Sequence, residues 1–359
     1  NMKKTIIFII GHLSHGGAEK QLYLLIKGLD KYGFLPLVIC LSETNHPWGD
    51  RITRLGIKII YISRFFRYDL SRVFRLAWHI NHHNPHIIVS SLHIANVYYW
   101  LSSKLFLFKK PPYIAQIRSK ASSMKGIEKW LNIKGFNSAN MIVTNSKLLI
   151  PFTVKHFKQD RNKIIAINNG IEIKKIDRNY NKIFNIGIIA KDSKEKNIDL
   201  FIDLALELLN RKNNLNFHLC GRGLKMPSRF LNKIPEELLK FFIFHGEVNN
   251  PENIYELLDL YVSSSISEGS PNVIIESLSY GIPVVATNVG GVSELVSHGE
   301  NGFLVESGDL GSLIKYCELL IGDFDLREKM GKNSRDFINK NYSYEKMVSE
   351  FSTIIQSLL

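Results

Sequence analysis

Two carboxylates, Glu268 and Glu276, are placed where a chain of this kind could hold a ligand. The apolar run 260–264 predicts a buried strand, and the polar loop 265–270 that follows it carries Glu268. Glu276 falls inside the next predicted helix. In an open α/β sheet ligands bind at the carboxyl ends of the strands, and a carboxylate accepts hydrogen bonds from hydroxyl groups more strongly than a neutral group does. We therefore expect a ligand site here, although either glutamate alone would be an ordinary solvated residue.

The helix between these carboxylates has its own signals. Ser270 is the expected N-cap and Pro271 the first helical residue, where a missing N–H costs nothing. Gly281 supplies the positive φ that ends the helix just after residue 280. The backbone N–H groups of Asn272 and Val273 then face the loop, and a helix amino terminus favours anions. This start predicts an anion-binding position.

Lysines and glycines follow two other predicted strands. Lys191 and Lys196 come after the strand 184–189, and the pair Gly16 and Gly17 comes between the strand 5–10 and the helix 18–29. Glycine lets the backbone approach a ligand closely, and lysine supplies a positive charge. These groups suit a phosphate, but a lone surface lysine or a glycine pair at a strand-to-helix turn usually binds nothing.

Strands and helices alternate along the whole chain, which predicts doubly wound parallel sheets. Further strands are expected at 35–41, 57–62, 85–91, 113–117, 141–145, 217–220, 243–245 and 284–287. The 359 residues are long for one core. A polar, turn-rich segment begins at 168 and suits a linker. Two domains are therefore expected.

Charge is distributed unevenly between the two halves. Residues 1–170 contain 25 Lys and Arg against 7 Asp and Glu, whereas residues 171–359 contain 21 against 26. The excess in the first half predicts an anionic partner, such as membrane phospholipid, a lipid-linked phosphate or nucleic acid. Nucleic acid is disfavoured because no binding module is recognisable. A generally basic surface without a dedicated partner is the alternative.

Two stretches of the first half, 64–75 and 104–113, combine basic and aromatic residues, and Lys120, Lys125 and Lys129 follow near Trp130. Such segments lie at anionic bilayer surfaces, with aromatic side chains inserted and cations at the headgroups. The alternative is that the aromatic side chains fill the core. For the helix 69–79 we expect five side chains to point inward: Leu70, Val73, Phe74, Ala77 and Trp78.

Cysteine content and hydropathy give a location. The three cysteines are far apart and form no metal-ligand cluster, which indicates reduced thiols in the cytoplasm. The run 5–10 is too short for a secretion signal, and no apolar run approaches the roughly 20 residues of a membrane span. We expect a cytoplasmic protein, peripheral on the inner face of the plasma membrane.

The motif E-G-x-P-x4-E at 268–276 is followed by G-x-P-V-V-A-T-x-x-G-G-x-x-E, here Gly281, Pro283, Val284, Val285, Ala286, Thr287, Gly290, Gly291 and Glu294. This ordered set closely resembles the signature of the retaining glycosyltransferases of family 4. The G-G-A-E sequence beginning at Gly16 is identical to a form that this family uses, and the N-G-I sequence at 169–171 matches its domain junction.

The resemblance implies the GT-B fold: two doubly wound Rossmann-like domains facing across a cleft. Residues 1–168 would form an acceptor-binding domain and residues 169–341 a nucleotide-sugar-binding domain, with 342–359 as a helix packing back on the first. It implies transfer of a sugar from a nucleotide-diphosphate donor, a UDP-sugar, to a glycan or polyprenyl-linked acceptor in surface polysaccharide or lipopolysaccharide synthesis. No metal cofactor is expected.

The resemblance also assigns roles. Glu276 would bind the donor ribose, Glu268 the donor sugar, and Lys191 and Lys196 the diphosphate, although the family usually has arginine where Lys191 stands. Arg118 occupies a position where the family often has a catalytic histidine, although a structural salt bridge is an equally good interpretation of this arginine. The sequence itself places His93 and Arg118 at the carboxyl ends of predicted strands, where both are expected to face the crevice and His93 to contact substrate. The remaining expected nucleotide-sugar contacts are Gly16, Gly17, Gly221, Glu247, Gly269, Ser270, Pro271, Asn272 and Val273.

Two other functions are compatible with the same fold. A nucleotide-sugar 2-epimerase or hydrolase would need acid–base groups at the strand ends of the first domain, where His12, His15 and His93 are the candidates. A non-catalytic nucleotide-sugar-binding protein would tolerate the changed residues Arg118 and Lys191. The sugar, the base and the acceptor do not follow from the motifs.

Overall fold

The computed structural model describes residues 3–66, 69–118, 124–173, 183–212, 214–248 and 251–359. The chain forms two compact units, one of residues 1–170 with 344–359 and one of residues 171–343. The boundary expected at 168/169 lies two residues from the observed one. Arg67, Lys120 and most of the expected linker lie outside the described residues.

The first unit contains a parallel sheet in which the described residues form seven strands in the order β3-β2-β1-β4-β5-β6-β7. The strands are β1 (Lys4–Ile10), β2 (Phe34–Cys40), β3 (Ile59–Tyr61), β4 (Ile87–Ser91), β5 (Tyr113–Ile117), β6 (Met141–Thr144) and β7 (Ile164–Ala166). Phe8 of β1 pairs with Val38 on one side and Val89 on the other. Because both faces are covered, β1 is apolar at successive positions, as the sequence predicted.

Helices cover both faces of this sheet. They are α1 (Gly17–Leu29), α2 (Trp48–Arg54), α3 (Ser71–His83), α4 (His93–Ser102), α5 (Gly126–Asn137) and α6 (Leu149–Phe157). Ile6, Phe8 and Ile10 belong to the core on one face, and Ile7 and Ile9 to the core on the other. Alternation along each strand thus divides the hydrophobic residues between two cores.

The prediction for α3 was partly wrong. Val73 and Ala77 are buried, together with Leu76 and Ile80, but Leu70, Phe74 and Trp78 are 67%, 63% and 60% exposed. Residues four apart share a helix face. The exposed residues therefore form a second apolar stripe, on the side of the helix that the sheet does not cover.

The second unit repeats this plan with a six-stranded parallel sheet in its described residues, ordered β10-β9-β8-β11-β12-β13. The strands are β8 (Phe184–Ile189), β9 (Leu215–Cys220), β10 (Phe242–Gly246), β11 (Leu260–Ser263), β12 (Val284–Thr287) and β13 (Gly302–Val305). The helices are α7 (Ile198–Leu209), α8 (Ser228–Leu231), α9 (Glu252–Leu257), α10 (Asn272–Ser279), α11 (Leu310–Gly322) and α12 (Phe324–Asn341).

The last helix, α13 (Tyr344–Leu358), belongs to the first unit. Its side chains Met347, Phe351 and Ile355 share a core with Leu22 and Leu25 of α1. The helix therefore packs on the amino-terminal unit, although it follows the second unit in the chain.

Both sheets change direction once. In the first unit β1 lies between β2 and β4, and in the second β8 lies between β9 and β11. In each sheet the connections that follow two adjacent strands, β1 and β4 or β8 and β11, run to opposite sides of the sheet. This leaves a crevice at the carboxyl ends of those two strands, which is where open α/β sheets bind ligands. Each unit thus has one preferred ligand edge, and the motif residues of the second unit lie on loops at its edge.

Candidate functional site

In the second unit, Lys196 and Glu268 form an ion pair at the crevice between β8 and β11. Lys196 ends a short 3₁₀ turn, Lys194–Lys196, that follows β8, and Glu268 lies on the loop after β11. The lysine Nζ is 2.5 Å from Glu268 Oε1, which also accepts a hydrogen bond from Ser265 Oγ at 2.7 Å. The Glu268 side chain is only 9% exposed and the Lys196 side chain 25%. Two residues predicted separately therefore belong to one charged site.

Hydrogen bonds to backbone carbonyl groups join the two loops that carry these side chains. The hydroxyl of Ser264 donates to the carbonyl oxygens of Lys196 and Asn197 at 3.0 and 2.9 Å, and Ile266 N–H donates to the carbonyl of Glu195 at 2.7 Å. Such bonds fix both loops relative to the sheet. The ion pair is therefore held by a preorganised frame.

Two glycines of the quoted motif close the same loop from β12. Gly290 has φ +58°, and a Cβ there would lie 1.9 Å from the carbonyl oxygen of Glu268. Gly291 N–H donates to the carbonyl of Gly269 at 2.7 Å, and Thr287 Oγ1 donates to the carbonyl of Ser265 at 2.5 Å. Glycine is required at 290 for both its conformation and its close contact with the Glu268 backbone.

Helix α10 begins one residue later than predicted. Pro271 is the N-cap, with ψ 112°, and its carbonyl accepts the first helical hydrogen bonds from Ile274 and Ile275. Proline was expected at the first helical position, but its extended ψ places it before the helix, and Ser270 precedes the cap. Asn272 and Val273 form the first turn. Gly281, with φ +66°, follows the helix as predicted.

Glu276 is buried in α10 and is held by a tyrosine that the motif analysis did not identify. The Tyr255 hydroxyl donates to Glu276 Oε2 at 2.5 Å, and Glu276 is 7% exposed. Burial, and then the negative charge of Glu276, raise the pKa of Tyr255 well above its usual range, so the phenol remains a donor. Tyr255 lies in the short helix α9, where no sequence signal marked it.

Three other predicted residues follow neighbouring strands of this sheet. Lys191 is exposed just beyond β8, and Glu247 is exposed just beyond β10. Gly221 follows β9 with φ +139°, and a Cβ there would lie 1.9 Å from the carbonyl oxygen of Ala190. All three lie at the carboxyl edge that carries the ion pair, since parallel strands end on the same side.

In the first unit, Gly16 of the glycine pair lies against a buried carboxylate. Gly16 is the N-cap of α1 and has extended backbone, with φ −179°, and Gly17 is the first residue of that helix. A Cβ on Gly16 would lie 2.1 Å from Glu19 Oε2, and Glu19 is 2% exposed. The Glu19 side chain folds back over Gly16, so a Cβ at this position would have to displace the Glu19 carboxylate.

Arg118 and His93 both follow strands of the first sheet but contact protein groups. Arg118 Nη1 donates to Asn169 Oδ1 at 3.0 Å and Nη2 to Gln116 Oε1 at 3.3 Å. Burial lowers the pKa of Arg118 to about 10, and the charge of Glu19 opposes that shift. The guanidinium therefore belongs to a polar network at the ends of β5 and β7.

His93 follows β4 as predicted, and its ring contacts aromatic side chains of the first unit. It is the first residue of α4, and its ring packs against Phe136 and Phe157, with centroids 6.0 and 5.6 Å away. Burial lowers its pKa to about 4. A neutral imidazole in contact with two phenyl rings is stable there, and the expected substrate contact of His93 stays a prediction.

In the part of the chain that the structure describes, no three His, Cys, Asp or Glu side chains are grouped as metal ligands. Within those same residues, no helix combines the length and the hydropathy needed to cross a bilayer.

Comparison with known proteins matches the two halves of the chain to two glycosyltransferase families. The family described as Glycosyltransferase Family 4 matches residues 15–175, and the family described as Glycosyl transferases group 1 matches residues 170–337. The capsular polysaccharide biosynthesis glycosyltransferase CapM of Staphylococcus aureus is 26% identical over 70% of this chain and 73% of its own length. An Escherichia coli enzyme, UDP-Gal:alpha-D-GlcNAc-diphosphoundecaprenol alpha-1,3-galactosyltransferase, is 26% identical over 66% of this chain and 65% of its own.

Among solved structures, Anabaena HepE in complex with UDP-glucose superposes with a TM-score of 0.83 at 18% identity, over 98% of this chain and 99% of the other. At that identity the likeness establishes the fold, and the predicted α/β GT-B class is confirmed. Because the two family matches together span residues 15–337, the chain belongs to the GT-B glycosyltransferases that join a family 4 amino-terminal domain to a group 1 carboxyl-terminal domain.

Proposed function

We propose that this glycosyltransferase is a retaining enzyme that moves a sugar from a UDP-sugar to a glycan or polyprenyl-linked acceptor of a bacterial surface polysaccharide. The observation that carries the proposal is the Lys196–Glu268 pair at the ligand edge of the second unit, beside the amino terminus of α10. Acceptors of this class are named for relatives such as the E. coli galactosyltransferase.

The difficult step is the departure of a nucleoside diphosphate. The bond from the anomeric carbon to the diphosphate oxygen breaks, and the negative charge on that oxygen increases in the transition state. Lys196 and Lys191 supply positive charge, and the first-turn N–H groups of α10 supply hydrogen bonds that are oriented before reaction. The fixed loop frame around Ser264 means that little reorganisation is needed.

Glu276 would bind the ribose of the donor. Its carboxylate is oriented by Tyr255 through Oε2. A carboxylate has about four acceptor positions on its two oxygens. A ribose diol, with two adjacent hydroxyl donors, suits such a group, and hydrogen bonds to a charged acceptor are the stronger kind.

Retention would follow from attack on the same face from which the diphosphate leaves. The acceptor oxygen forms a bond to the anomeric carbon, and its proton passes to the departing diphosphate oxygen. No metal takes part in this scheme, because lysines and backbone N–H groups provide the charge stabilisation. Because the diphosphate oxygen takes the acceptor proton, no protein side chain is needed as a general base.

The test is incubation with labelled UDP-sugars and polyprenyl-diphosphate-linked sugars, with and without EDTA, and NMR of the product. Transfer with retained anomeric configuration in EDTA supports the proposal. Inverted product would refute retention, and loss of activity in EDTA restored by a divalent ion would refute metal independence. Sugar release without an acceptor would instead support the hydrolase, and binding without turnover the non-catalytic protein.

We also propose that the outer face of α3, α4 and α5 contacts an anionic membrane. The exposed stripe consists of Phe74 and Trp78 of α3 and of Leu70, the residue just before the helix, and Phe65 and Phe66 a few residues earlier are 73% and 62% exposed. A core role for these side chains is excluded by their exposure. Three neighbouring helices form this layer: Ser102 of α4 donates to the carbonyl of Val73, and Trp100 lies 6.0 Å from Trp130 of α5.

The charge of the first unit supports an anionic membrane as the partner of this face. The first unit contains 26 Lys and Arg against 9 Asp and Glu. Arg75 lies over the ring of Phe65, Lys104 over Trp100 and Lys134 over Trp130, at 4.3 to 5.6 Å. Aromatic side chains with cations beside them suit the headgroup region of an anionic bilayer.

Flotation with liposomes tests this face. The protein should float with phosphatidylglycerol liposomes at low salt and not with phosphatidylcholine liposomes. Combined Phe74→Ser and Trp78→Ser should abolish flotation, whereas Phe324→Ser, which changes an exposed aromatic residue of the second unit, should not. Failure of the native protein to float at low salt, or flotation of the double variant, would refute the assignment.

A further inference from the structure

The exposed stripe of α3 continues into a cluster of three histidines, His79, His82 and His83, at the end of the helix. Residues four apart share a helix face, so His82 follows Trp78 on the face that is proposed to contact the membrane. The His82 ring is exposed and lies flat on the Trp78 indole, with ring centroids 5.2 Å apart and an angle of 7° between the planes. Titratable rings are therefore part of that face.

His83 is fixed beside His82 by a hydrogen bond within the helix. Its Nδ1–H donates to the backbone carbonyl of His79 at 2.9 Å, since a carbonyl oxygen can only accept. The rings of His82 and His83 have centroids 5.0 Å apart. Because Nδ1 of His83 already carries a proton, the neutral ring takes up its second proton at Nε2. Protonation therefore leaves the hydrogen bond to the helix in place.

The stretch of sequence that forms α3 and the neighbouring helix α4 contains no carboxylate. Between Asp69 and Glu128 there is no Asp or Glu, whereas there are eight Lys and Arg. Asp69 itself is buried and paired with Arg75, with the carboxylate oxygen 2.8 Å from the guanidinium nitrogen. A proton that the histidine cluster takes up therefore adds to an existing positive charge. Its natural counter-ion is an anion outside this layer.

The elements next to the cluster carry further cations. Burial, and then the neighbouring histidines, Lys58 and Arg75, lower the pKa of His79, so this ring stays neutral to a lower pH than a free histidine. The Asn81 side chain donates to and accepts from the backbone of residues 105–107, which follow α4. That segment and its flanks carry three cations, Lys104, Lys109 and Lys110.

His82 and His83 are placed where a positive charge is favoured. Both lie in the last turn of α3, where the free carbonyl groups of a helix end attract cations. A histidine side chain changes its charge between about pH 5 and 8. The surface potential of an anionic bilayer, about −30 to −50 mV, lowers the local pH by roughly 0.5 to 0.8 units. Approach to such a membrane therefore promotes protonation of the two rings.

We propose that His82 and His83 make membrane binding by the first unit depend on pH, because the protonated rings bind the phosphate groups of anionic lipids. The inference rests on the membrane contact proposed above and adds its regulation. An imidazolium that stacks on an indole is stabilised by a cation–π interaction, and its N–H groups donate charge-assisted hydrogen bonds to phosphate oxygens. Binding should therefore strengthen as the pH falls from 7.5 to 5.5.

The test measures partition of the whole protein onto phosphatidylglycerol liposomes at pH 7.5 and at pH 5.5, in low salt. Near an anionic surface each added positive charge strengthens binding about fivefold, so two partly charged rings should give a rise of about tenfold. His82→Gln combined with His83→Gln should remove most of that rise. His82→Lys combined with His83→Lys should bind at pH 7.5 about as tightly as the native protein binds at pH 5.5.

Other histidines also gain charge in acid, so the control removes two of them elsewhere in the first unit. His15→Gln combined with His46→Gln changes a ring pair with centroids 6.1 Å apart that precedes α1 and α2, and it should keep the native rise. Equal binding of the native protein at both pH values would overturn the inference, as would a His82, His83 glutamine variant that keeps the rise.

If the glutamine variant does not fold, the lysine variant decides, and unchanged binding of that variant at pH 7.5 would overturn the inference. Binding that is strong but independent of pH contradicts this inference alone. A native protein that binds these liposomes at neither pH contradicts the membrane assignment as well. Transfer of sugar from a UDP-sugar, measured without liposomes, tests the enzymatic proposal separately.

Discussion

Removing Lys196 should lower both stability and transfer rate, and a second substitution should restore only the stability. Lys196→Met leaves the Glu268 carboxylate, 9% exposed, without its cation. Breaking a buried ion pair costs about 3–5 kcal/mol. The lysine is one-quarter exposed, so solvent screening reduces this, and we expect about 1–3 kcal/mol. Transfer should fall by about 10²–10³, as when one preorganised donor is removed.

The double variant Lys196→Met with Glu268→Gln removes both charges. Its amide can still accept the Ser265 hydroxyl hydrogen bond, so unfolding stability should return to within about 1 kcal/mol of the native value. Its activity should remain as low as that of the single variant or lower. Arg211→Met, which removes a cation from an exposed pair with Glu318, is the matched control and should change neither quantity.

Stability is measured by denaturant unfolding followed by far-UV circular dichroism, and transfer by release of UDP in the presence of acceptor. A double variant as unstable as Lys196→Met would show that the pair is not the source of the loss. A double variant with native activity would show that these charges do not act on the donor.

Three further results are expected. Gly290→Ala should prevent stable folding of the second unit, because φ is +58° and the new Cβ would lie 1.9 Å from the carbonyl oxygen of Glu268; a native melting temperature would refute this. Tyr255→Phe should weaken UDP binding about tenfold by releasing the Glu276 carboxylate from its hydroxyl donor, as calorimetry would measure. Burial, and then the charge of His245, lower the pKa of His218 to about 4. As the pH drops, the unfolded chain therefore takes up a proton at this histidine before the folded protein does, so the stability should fall from pH 6.5 towards pH 4. His218→Asn should reduce that slope, which thermal melts between pH 5 and 7.5 would detect.

Sequence reasoning was most successful where a pattern is local and repeated. Alternation of apolar runs with helices gave the doubly wound sheets, and β5, β8 and β12 were predicted with their observed bounds. The loop-to-helix motif placed Glu268 and Glu276 on the right elements, since the spacing of a strand, a loop and a helix start determines which residues lie at the sheet edge.

Contacts between residues distant in sequence could not be predicted. Tyr255 reaches Glu276 from a helix without any motif, and only the fold brings them together. Even over three residues, the contact of the Glu19 carboxylate with Gly16 depends on a side-chain conformation that the sequence pattern does not give, and the phosphate role of Gly16 stays a prediction.

The error in α3 and the aromatic packing of His93 have a common physical cause. Hydrophobic periodicity marks apolar faces but does not show which one meets the sheet. In α3 two stripes exist, and the one with Phe74 and Trp78 faces outward. His93 follows β4 as predicted, but its ring orientation depends on Phe136 and Phe157, far along the chain.

The most direct test of the donor site compares UDP with its 2′,3′-dideoxyribose analogue by calorimetry, in the native protein, in Glu276→Gln and in Glu256→Gln, an exposed control in the same unit. If Glu276 binds the ribose diol, the native protein and the control should prefer UDP by about tenfold or more, and Glu276→Gln should bind both ligands equally weakly. A Glu276→Gln variant that still prefers UDP as strongly as the native protein would contradict the account.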